Sequence, residues 1–577
     1  MGAWILTRRE RVPLYRALPA TLALSRTTMI RMALAACLLL SGRAAHAEAS
    51  DASVVRAPEV SGRIGLYDAT QFRVGKGHDL GAEPKAAFWY FKDEVVGRPA
   101  SLSFKPVSDD SLDVEADVRQ WSRSGDASHP TLPFLVWTGA PAIVDHARLS
   151  QDGRSVDLGT GEVAPFAIVP KLPTNRSYFD TSSIAALSTV TLRMRGTRAA
   201  RDGGAFVART LWPEGWALDL GKAMPLGRGE SLTALIEADD GGARAPYTTR
   251  VLWERRPGAS APGPTRAVMG FVLNGAQGDD DEAHGGHFAV FTGRHDGDAR
   301  MADWMVNNFY NLGTVSEKGI IASMLPMDAY MTDLNSGQAW YRPSYLLVAI
   351  LDDPAPAQQF QNAIIRVFER FYRQHVAYDH AQANCAGISV DTLSGLGWNY
   401  PRLGPTSTPK AVAGYFYSSA TDLDFASGRK TFHYLSEERV RLYPRAAFET
   451  LGQDLMMLAS NTARPITPYE KLLASHVQAI VFVRIPQIPS SRAMGTFPVG
   501  SFDAYMARVP ADRKDWKIVP VDSRTFPDAL RDRPEAQPAL SDAAVGWLAL
   551  SALGLAAAVP LALGRRLLKS PRGTWRH

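Results

Sequence analysis

Cysteine is scarce in this chain: Cys37 and Cys385 are the only two among 577 residues. A disulfide-stapled fold is therefore excluded, because such domains depend on several cysteine pairs. The sequence has no internal repeat and no low-complexity tract, and 46% of its residues are hydrophobic. This composition also excludes disordered and collagen-like proteins, and the length predicts two or three globular domains.

Excess positive charge is absent from the body of the chain, although the formal net charge of the whole chain is +5. Residues 1–47 hold seven arginines and one acidic residue, and residues 564–577 hold five basic residues and no acidic one. The stretch between them is therefore net negative. A body with this charge balance lacks the basic surface that binds phosphate backbones, so the sequence predicts no nucleic-acid partner.

The N-terminal residues have the pattern of a secretory signal peptide over 1–47. Arg31 precedes an apolar run over 32–40, and small residues then allow cleavage after Ala47. A buried N-terminal helix is the alternative. If the signal is removed, Cys385 becomes the only cysteine of the mature chain, and an unpaired cysteine in an oxidising compartment needs an explanation.

Near the C-terminus, residues 543–563 form a run of 21 residues without a charge. This length is close to the roughly 20 residues that cross a bilayer as a helix. Basic residues follow the run over 564–577, and the positive-inside rule then predicts a cytoplasmic tail. The sequence thus predicts a single-pass protein of the bacterial inner membrane whose body lies outside the cytoplasm.

The remaining chain divides into two predicted units at a linker of three prolines and two glycines over 255–265. The first unit, 48–265, contains short alternating runs separated by turn residues, which favour a β-sandwich-like arrangement. We expect strands in this unit at 147–150, 189–194, 231–236 and 249–253.

The second unit, 266–530, mixes strand and helix patterns, so the predicted class is α+β. Strands are expected at 268–273, 286–292, 304–310, 345–351 and 477–484, and helices at 356–371, from Cys385 to about Leu396, and at 445–460.

Cys385 is the first candidate for chemistry. Asn384 suits a helix N-cap, which places Cys385 in the first helical turn. The unsatisfied N–H groups and the helix dipole there are expected to lower the pKa of the thiol and favour the thiolate. The alternative is a small buried hydrophobic residue without a chemical role.

A reactive thiol needs a base and a group that orients this base. His287 is the strongest candidate base, because it lies in an apolar strand behind two glycines. A hairpin centred near residue 297 would place Asn307 opposite His287 on the same face of the sheet. Asn308 is the alternative orienting residue if the register shifts by one.

Other histidines and acids are weaker candidates. His375 and His380 could replace His287 as the base, but they suit loop or helix-end positions. The acidic run over 279–282, with His284 and His287, does not have an ordered metal-ligand pattern. We therefore predict no metal and no cofactor.

These motifs resemble the circularly permuted branch of the papain-like, NlpC-type thiol hydrolase and acyltransferase superfamily. The pattern is Gly286-His287-Phe288-Ala289-Val290, then Tyr378, then Asn384-Cys385-Ala386 and an apolar helix. It is closest to a bacterial envelope group that includes a lipoprotein N-acyltransferase, and it covers about residues 266–400. The resemblance implies a papain-like fold, with Cys385 as nucleophile and His287 as base.

The sequence therefore predicts an envelope cysteine hydrolase or acyltransferase anchored to the membrane. Cys385 would form an acyl-thioester, with His287 as base and Asn307 as orienting residue. The expected substrate is a lipid, a lipoprotein or a cell-wall peptide. The alternative is a non-catalytic envelope scaffold that carries a degenerate papain-like domain.

Overall fold

The structure is a computed structural model in which the chain divides into a unit of residues 1–53 and a second unit of residues 54–577. Every described residue belongs to the second unit. The structure describes residues 62–501, except 81–84, 101–112, 172–178, 200–203, 239–244, 261–264, 276–284, 297–299, 311–320, 461–463, 465 and 491–497, together with 503, 504, 507 and 512.

The strands form four sheets within these residues. They are β1 (Arg63–Ile64), β2 (Tyr67–Asp68), β3 (Phe72–Lys76), β4 (Val95–Pro99), β5 (Val136–Trp137), β6 (Ala142–Leu149), β7 (Ser155–Asp157), β8 (Val163–Ile168), β9 (Leu192–Arg198), β10 (Phe206–Pro213), β11 (Met224–Pro225), β12 (Thr248–Glu254), β13 (Arg266–Asn274), β14 (His287–His295), β15 (Met305–Asn308), β16 (Ser323–Pro326), β17 (Ser344–Leu351) and β18 (Val477–Ile485).

The α-helices are concentrated in the second half of the chain. They are α1 (Lys85–Tyr90), α2 (Val114–Ser122), α3 (Thr181–Leu187), α4 (Leu232–Glu237), α5 (Met327–Thr332), α6 (Ala355–Tyr372), α7 (Cys385–Leu396), α8 (Thr408–Asp422), α9 (Phe425–Ser436), α10 (Arg439–Leu442), α11 (Pro444–Ala459) and α12 (Pro468–His476).

The largest sheet has eight strands in the order β11-β12-β18-β17-β13-β14-β15-β16. All residues of β17 and all of β13 except Arg266 are buried, so both faces of these central strands are covered. Helices α6, α7 and α11 pack against β14. At Gly270 in β13, an added Cβ would lie 2.0 Å from the Leu347 carbonyl oxygen, so this close approach requires glycine.

The sheet extends across the predicted boundary at residue 265. β12 precedes the boundary, yet it pairs with β18 in the same sheet as β13 and β14. The segment over 255–265 therefore connects two strands of one sheet.

The first half of the chain does not form the predicted β-sandwich. Strands β6 to β10 form a closed five-stranded barrel in the order β10-β8-β7-β6-β9, and β3, β4 and β5 form a separate small sheet. Two buried arginines join the barrel to the second half: Arg193 donates to Asp303 at 2.6 Å, and Arg195 donates to Asp328 at 2.7 Å.

One predicted strand is a helix for a local reason. The segment over 231–236 alternates like a strand, but the structure has α4 there. The hydroxyl of Ser231 accepts from the Ala234 backbone N–H and caps the helix, while Leu232, Leu235 and Ile236 are buried at helical spacing. The other three strands expected before residue 265 lie within or overlap β6, β9 and β12.

The predicted membrane-anchored architecture is also overturned. Among the described residues, no helix is long and apolar enough to cross a bilayer. This finding contradicts the fold class with a transmembrane helix, and with it the single-pass inner-membrane localisation. The predicted signal peptide at 1–47, the span at 543–563 and the tail at 564–577 all lie outside the described residues.

Candidate active site

Cys385 is the first residue of α7, as the sequence predicts. The Asn384 side chain accepts from the Gly387 backbone N–H at 2.9 Å, so it caps the helix. Its amide nitrogen also donates to the Leu442 carbonyl at 2.9 Å, at the end of α10. These two bonds fix the start of α7 against a neighbouring helix, and so they fix the position of the thiol.

Cys385 is only 4% exposed, and burial raises the pKa of its thiol. Hydrogen bonds from the Phe288 backbone N–H, the Tyr378 hydroxyl and the Ala386 backbone N–H act in the opposite direction, as does the charge of Arg342. The expected lowering of the thiol pKa by the helix terminus is therefore wrong in sign, because desolvation outweighs these contributions. Burial therefore favours the neutral thiol over the thiolate.

His287 lies at the start of β14 and is bonded to Asn308, at the end of β15. Nε2 of His287 lies 2.5 Å from Oδ1 of Asn308, and the Asn308 amide nitrogen donates to the Ile321 carbonyl at 2.7 Å. Because that second bond identifies which Asn308 atom is the nitrogen, Oδ1 must accept and Nε2 must carry the hydrogen. Nδ1 of the neutral ring is thus left free of a proton.

Asn307 does not orient His287. Val290, rather than His287, lies opposite Asn307 in the β14–β15 pairing. Residues three apart on a strand lie on opposite faces, so Asn307 faces away from His287 and Asn308 faces towards it. The Asn307 amide instead pairs with Gln361 of α6, at 3.0 and 3.2 Å. The predicted register is wrong, and Asn308, the alternative, occupies the orienting position.

His287 is held neutral by its surroundings. Burial and the positive charge of Arg342 lower its pKa to about 3, against the hydrogen bond to Asn308, which raises it. The rings of Tyr310 and Tyr330 lie 6.2 and 6.3 Å from the imidazole, centre to centre. The imidazole therefore lies in an aromatic environment that disfavours its charged form.

Cys385 and His287 line the same cavity, whose volume is about 20 Å³. A cavity of this size has room for about one water molecule. An acyl group can therefore enter only if lining side chains move. The other lining residues are Gly286, Tyr378, His380, Asn384, Tyr434, Leu442 and Pro444.

Of the other histidines, His380 lines this cavity and lies 5.2 Å from the Tyr378 ring, centre to centre, with a pKa lowered by burial. His375 does not line the cavity. His284 and the acidic run over 279–282 lie outside the described residues. No group of three potential metal ligands occurs in the part of the chain that the structure describes.

Two larger cavities lie away from Cys385. One of about 770 Å³ adjoins the C-terminal end of α7, near Trp398, and one of about 340 Å³ adjoins the barrel, near Trp212. Neither contains Cys385 or His287. Cavity size therefore does not single out Cys385, whereas the hydrogen bonds that converge on its thiol do.

Arg342 is the site residue that sequence reasoning missed. It is buried just before β17, and its charge acts on both Cys385 and His287. The available signal was a single arginine in an aromatic run, Trp340-Tyr341-Arg342, directly before an apolar strand. Tyr310 lies in the apolar and aromatic segment 304–310, whose pattern does not separate it from core residues.

Comparisons of this chain with family models, with curated proteins and with solved structures find no match.

Proposed function

We propose that this protein is a cysteine hydrolase or acyltransferase that works through an acyl-thioester. Cys385 is the nucleophile, His287 the base and Asn308 the residue that orients His287. The observation that carries the proposal is which ring nitrogen of His287 donates a hydrogen bond and which carries no hydrogen. With Nε2 bonded to Asn308, the proton-free Nδ1 is the atom left to act as a base in the cavity that the imidazole shares with Cys385.

In the first step, Nδ1 of His287 takes the Sγ proton of Cys385 while Sγ attacks an acyl carbonyl carbon. The carbonyl electron pair moves to oxygen. We assign the backbone N–H groups of Phe288 and Ala386, which hydrogen-bond to Sγ, as the donors to that oxygen. The electron pair then returns, and the leaving group departs with the His287 proton. The product is an acyl-thioester on Cys385.

In the second step, His287 takes a proton from the acyl acceptor, which attacks the thioester carbonyl. Sγ leaves and recovers its proton. A water acceptor gives hydrolysis, whereas an amine or hydroxyl acceptor gives acyl transfer. The resemblance of Gly286-His287 and Asn384-Cys385-Ala386 to permuted papain-like enzymes supports this chemistry, and it implies a lipid, lipoprotein or cell-wall peptide as substrate.

A non-catalytic binding protein is the second candidate. The observation that favours it is the burial of the thiol beside a cavity of about 20 Å³. In that case Cys385 is a packing residue, and it is inert until the protein unfolds.

The test uses p-nitrophenyl acetate with the full chain. We expect a burst of nitrophenolate and an acetyl group on Cys385, located by mass spectrometry of the peptides. Cys385→Ala abolishes both in a folded protein, and His287→Gln slows the burst at least about a hundredfold. A native protein that acquires no acetyl group on Cys385, and whose thiol reacts with iodoacetamide only in denaturant, is the binding protein instead.

A further inference from the structure

Arg342 is a buried cation with no acidic partner in the described part of the chain. Its side chain is 2% exposed, and Nη1 donates to the Gly275 carbonyl at 3.3 Å. Nε has no hydrogen-bond partner within those residues. A guanidinium keeps its charge when buried, and an uncompensated buried charge is costly. Such a cost favours a functional role.

The arginine lies at the same sheet edge as the base. Asn274, the last residue of β13, pairs with His287 on one side and with Ser344 on the other. Gly275, which accepts from Arg342, follows Asn274 directly. The sheet register thus places the guanidinium beside the strand end that carries His287.

The groups around Arg342 are ionisable side chains. Tyr330 donates its hydroxyl hydrogen to Oδ1 of Asn274, and burial holds its pKa well above the usual range. The phenols of Tyr310 and Tyr341 and the thiol of Cys385 also act on the guanidinium. Burial keeps the Tyr330 phenol protonated, and Cys385 is the member of this cluster that becomes an anion during the proposed reaction.

We propose that Arg342 supplies the positive charge that stabilises the Cys385 thiolate, in the place that a protonated histidine would otherwise take. This inference rests on the proposed function. As Sγ loses its proton, the guanidinium of Arg342 is the counter-charge of the thiolate that develops. In acyl transfer, Nδ1 of His287 takes the Sγ proton as Sγ attacks and holds it only until the leaving group departs with it, because Arg342 repels a lasting imidazolium. In alkylation, the proton passes from Nδ1 of His287 to solvent.

The first test is the pH dependence of iodoacetamide alkylation of Cys385 in the full chain. Arg342→Gln raises the alkylation midpoint by about one pH unit, which is a tenfold slower rate below the midpoint. Arg342→Lys retains a cation, so its midpoint stays nearer to that of the unchanged protein. An identical midpoint in a folded Arg342→Gln protein overturns the inference. The titratable side chains that line the cavity with the thiol are His287, Tyr378, His380 and Tyr434. Next to them, Arg441 of α10 pairs with Asp391 of α7 at 2.8 Å.

The second test needs no variant and so does not depend on the folding of Arg342→Gln. The ratio of iodoacetate to iodoacetamide alkylation rates reports a cation beside the thiolate, because only iodoacetate is an anion. A permanent guanidinium keeps this ratio constant from pH 5 to pH 9. A ratio that falls with a midpoint between pH 5 and pH 8 identifies an imidazolium as the cation and refutes the role of Arg342.

The two proposals fail in different ways. If native Cys385 reacts with none of these reagents, the proposed function fails. In another outcome, Cys385 is acetylated and its acetylation rate falls in His287→Gln, but the pH midpoint of its alkylation is the same in Arg342→Gln and the unchanged protein. Only the role of Arg342 then fails.

Discussion

Nε2 of His287 donates to Oδ1 of Asn308 across 2.5 Å, and the Asn308 amide is itself held by the Ile321 carbonyl. This chain of bonds fixes both the tautomer and the direction of the imidazole. Two consecutive asparagines thus have different roles, because Asn308 serves the base and Asn307 holds α6 against the sheet.

Asn308→Ala is expected to slow acetylation of Cys385 at least about tenfold, because the imidazole loses its fixed tautomer. The matched control is Asn307→Ala, which removes the bonds to Gln361 and lowers the free energy of unfolding by about 1–3 kcal/mol. The acetylation rate of folded Asn307→Ala protein stays near that of the unchanged protein. A larger rate loss in Asn307→Ala than in Asn308→Ala contradicts the assignment.

Tyr378→Phe removes a hydroxyl that donates to Sγ and keeps the ring. The pKa of Cys385 rises further without this donor, so alkylation by iodoacetamide at pH 7 becomes several-fold slower. At a pH well above the midpoint, where the thiolate is fully formed in both proteins, the two rates converge. A difference that persists at high pH points to a lost packing contact instead.

The lowered pKa of His287, about 3, makes stability depend on pH. The unfolded chain binds a proton on this histidine below about pH 6.5 and the folded chain does not, so stability falls as the pH drops from 6.5 towards 3. From pH 7 to pH 5 the loss is about 2 kcal/mol for this residue.

His287→Gln removes this part of the pH dependence, which urea unfolding at pH 7 and pH 5 measures. The other buried histidines are the same in both proteins, so the difference isolates His287. Equal pH dependence in the two proteins means that the imidazole titrates normally in the folded state.

Tyr434→Ala is expected to speed alkylation of Cys385. Tyr434 of α9 lines the cavity at Cys385, which has room for about one water molecule, and removal of its ring enlarges this cavity. Tyr417→Ala is the matched control, since this tyrosine of α8 is 48% exposed and does not line the cavity. Equal alkylation rates in Tyr434→Ala and the unchanged protein would show that reagents enter past another side chain.

Local pattern predicts much of the second half of the chain. The start of the helix at Cys385 can be predicted from Asn384. An asparagine side chain there can accept a hydrogen bond from the backbone N–H three residues later and so cap the helix. Strands β13, β14 and β17 follow from apolar runs. Alternation was misleading at 231–236, where a serine cap and burial at helical spacing give α4.

The pairing of strands that are distant in the sequence could not be predicted from local sequence patterns. The barrel of β6 to β10 and the pairing of β12 with β18 join segments whose contacts no local period encodes. The membrane-anchored architecture was an inference from a hydrophobic run, and the described helices do not support it.

The sequence by itself determined the residue types of the proposed site: one cysteine behind a capping asparagine, one histidine in an apolar strand, and two adjacent asparagines. Only the tertiary structure decided which asparagine meets the imidazole, because a shift of an odd number of residues reverses the faces of a strand. It also decided the sign of the Cys385 pKa shift and brought Arg342 close enough for its charge to act on the thiol. Burial and charge proximity depend on how distant segments pack, and a linear pattern contains neither.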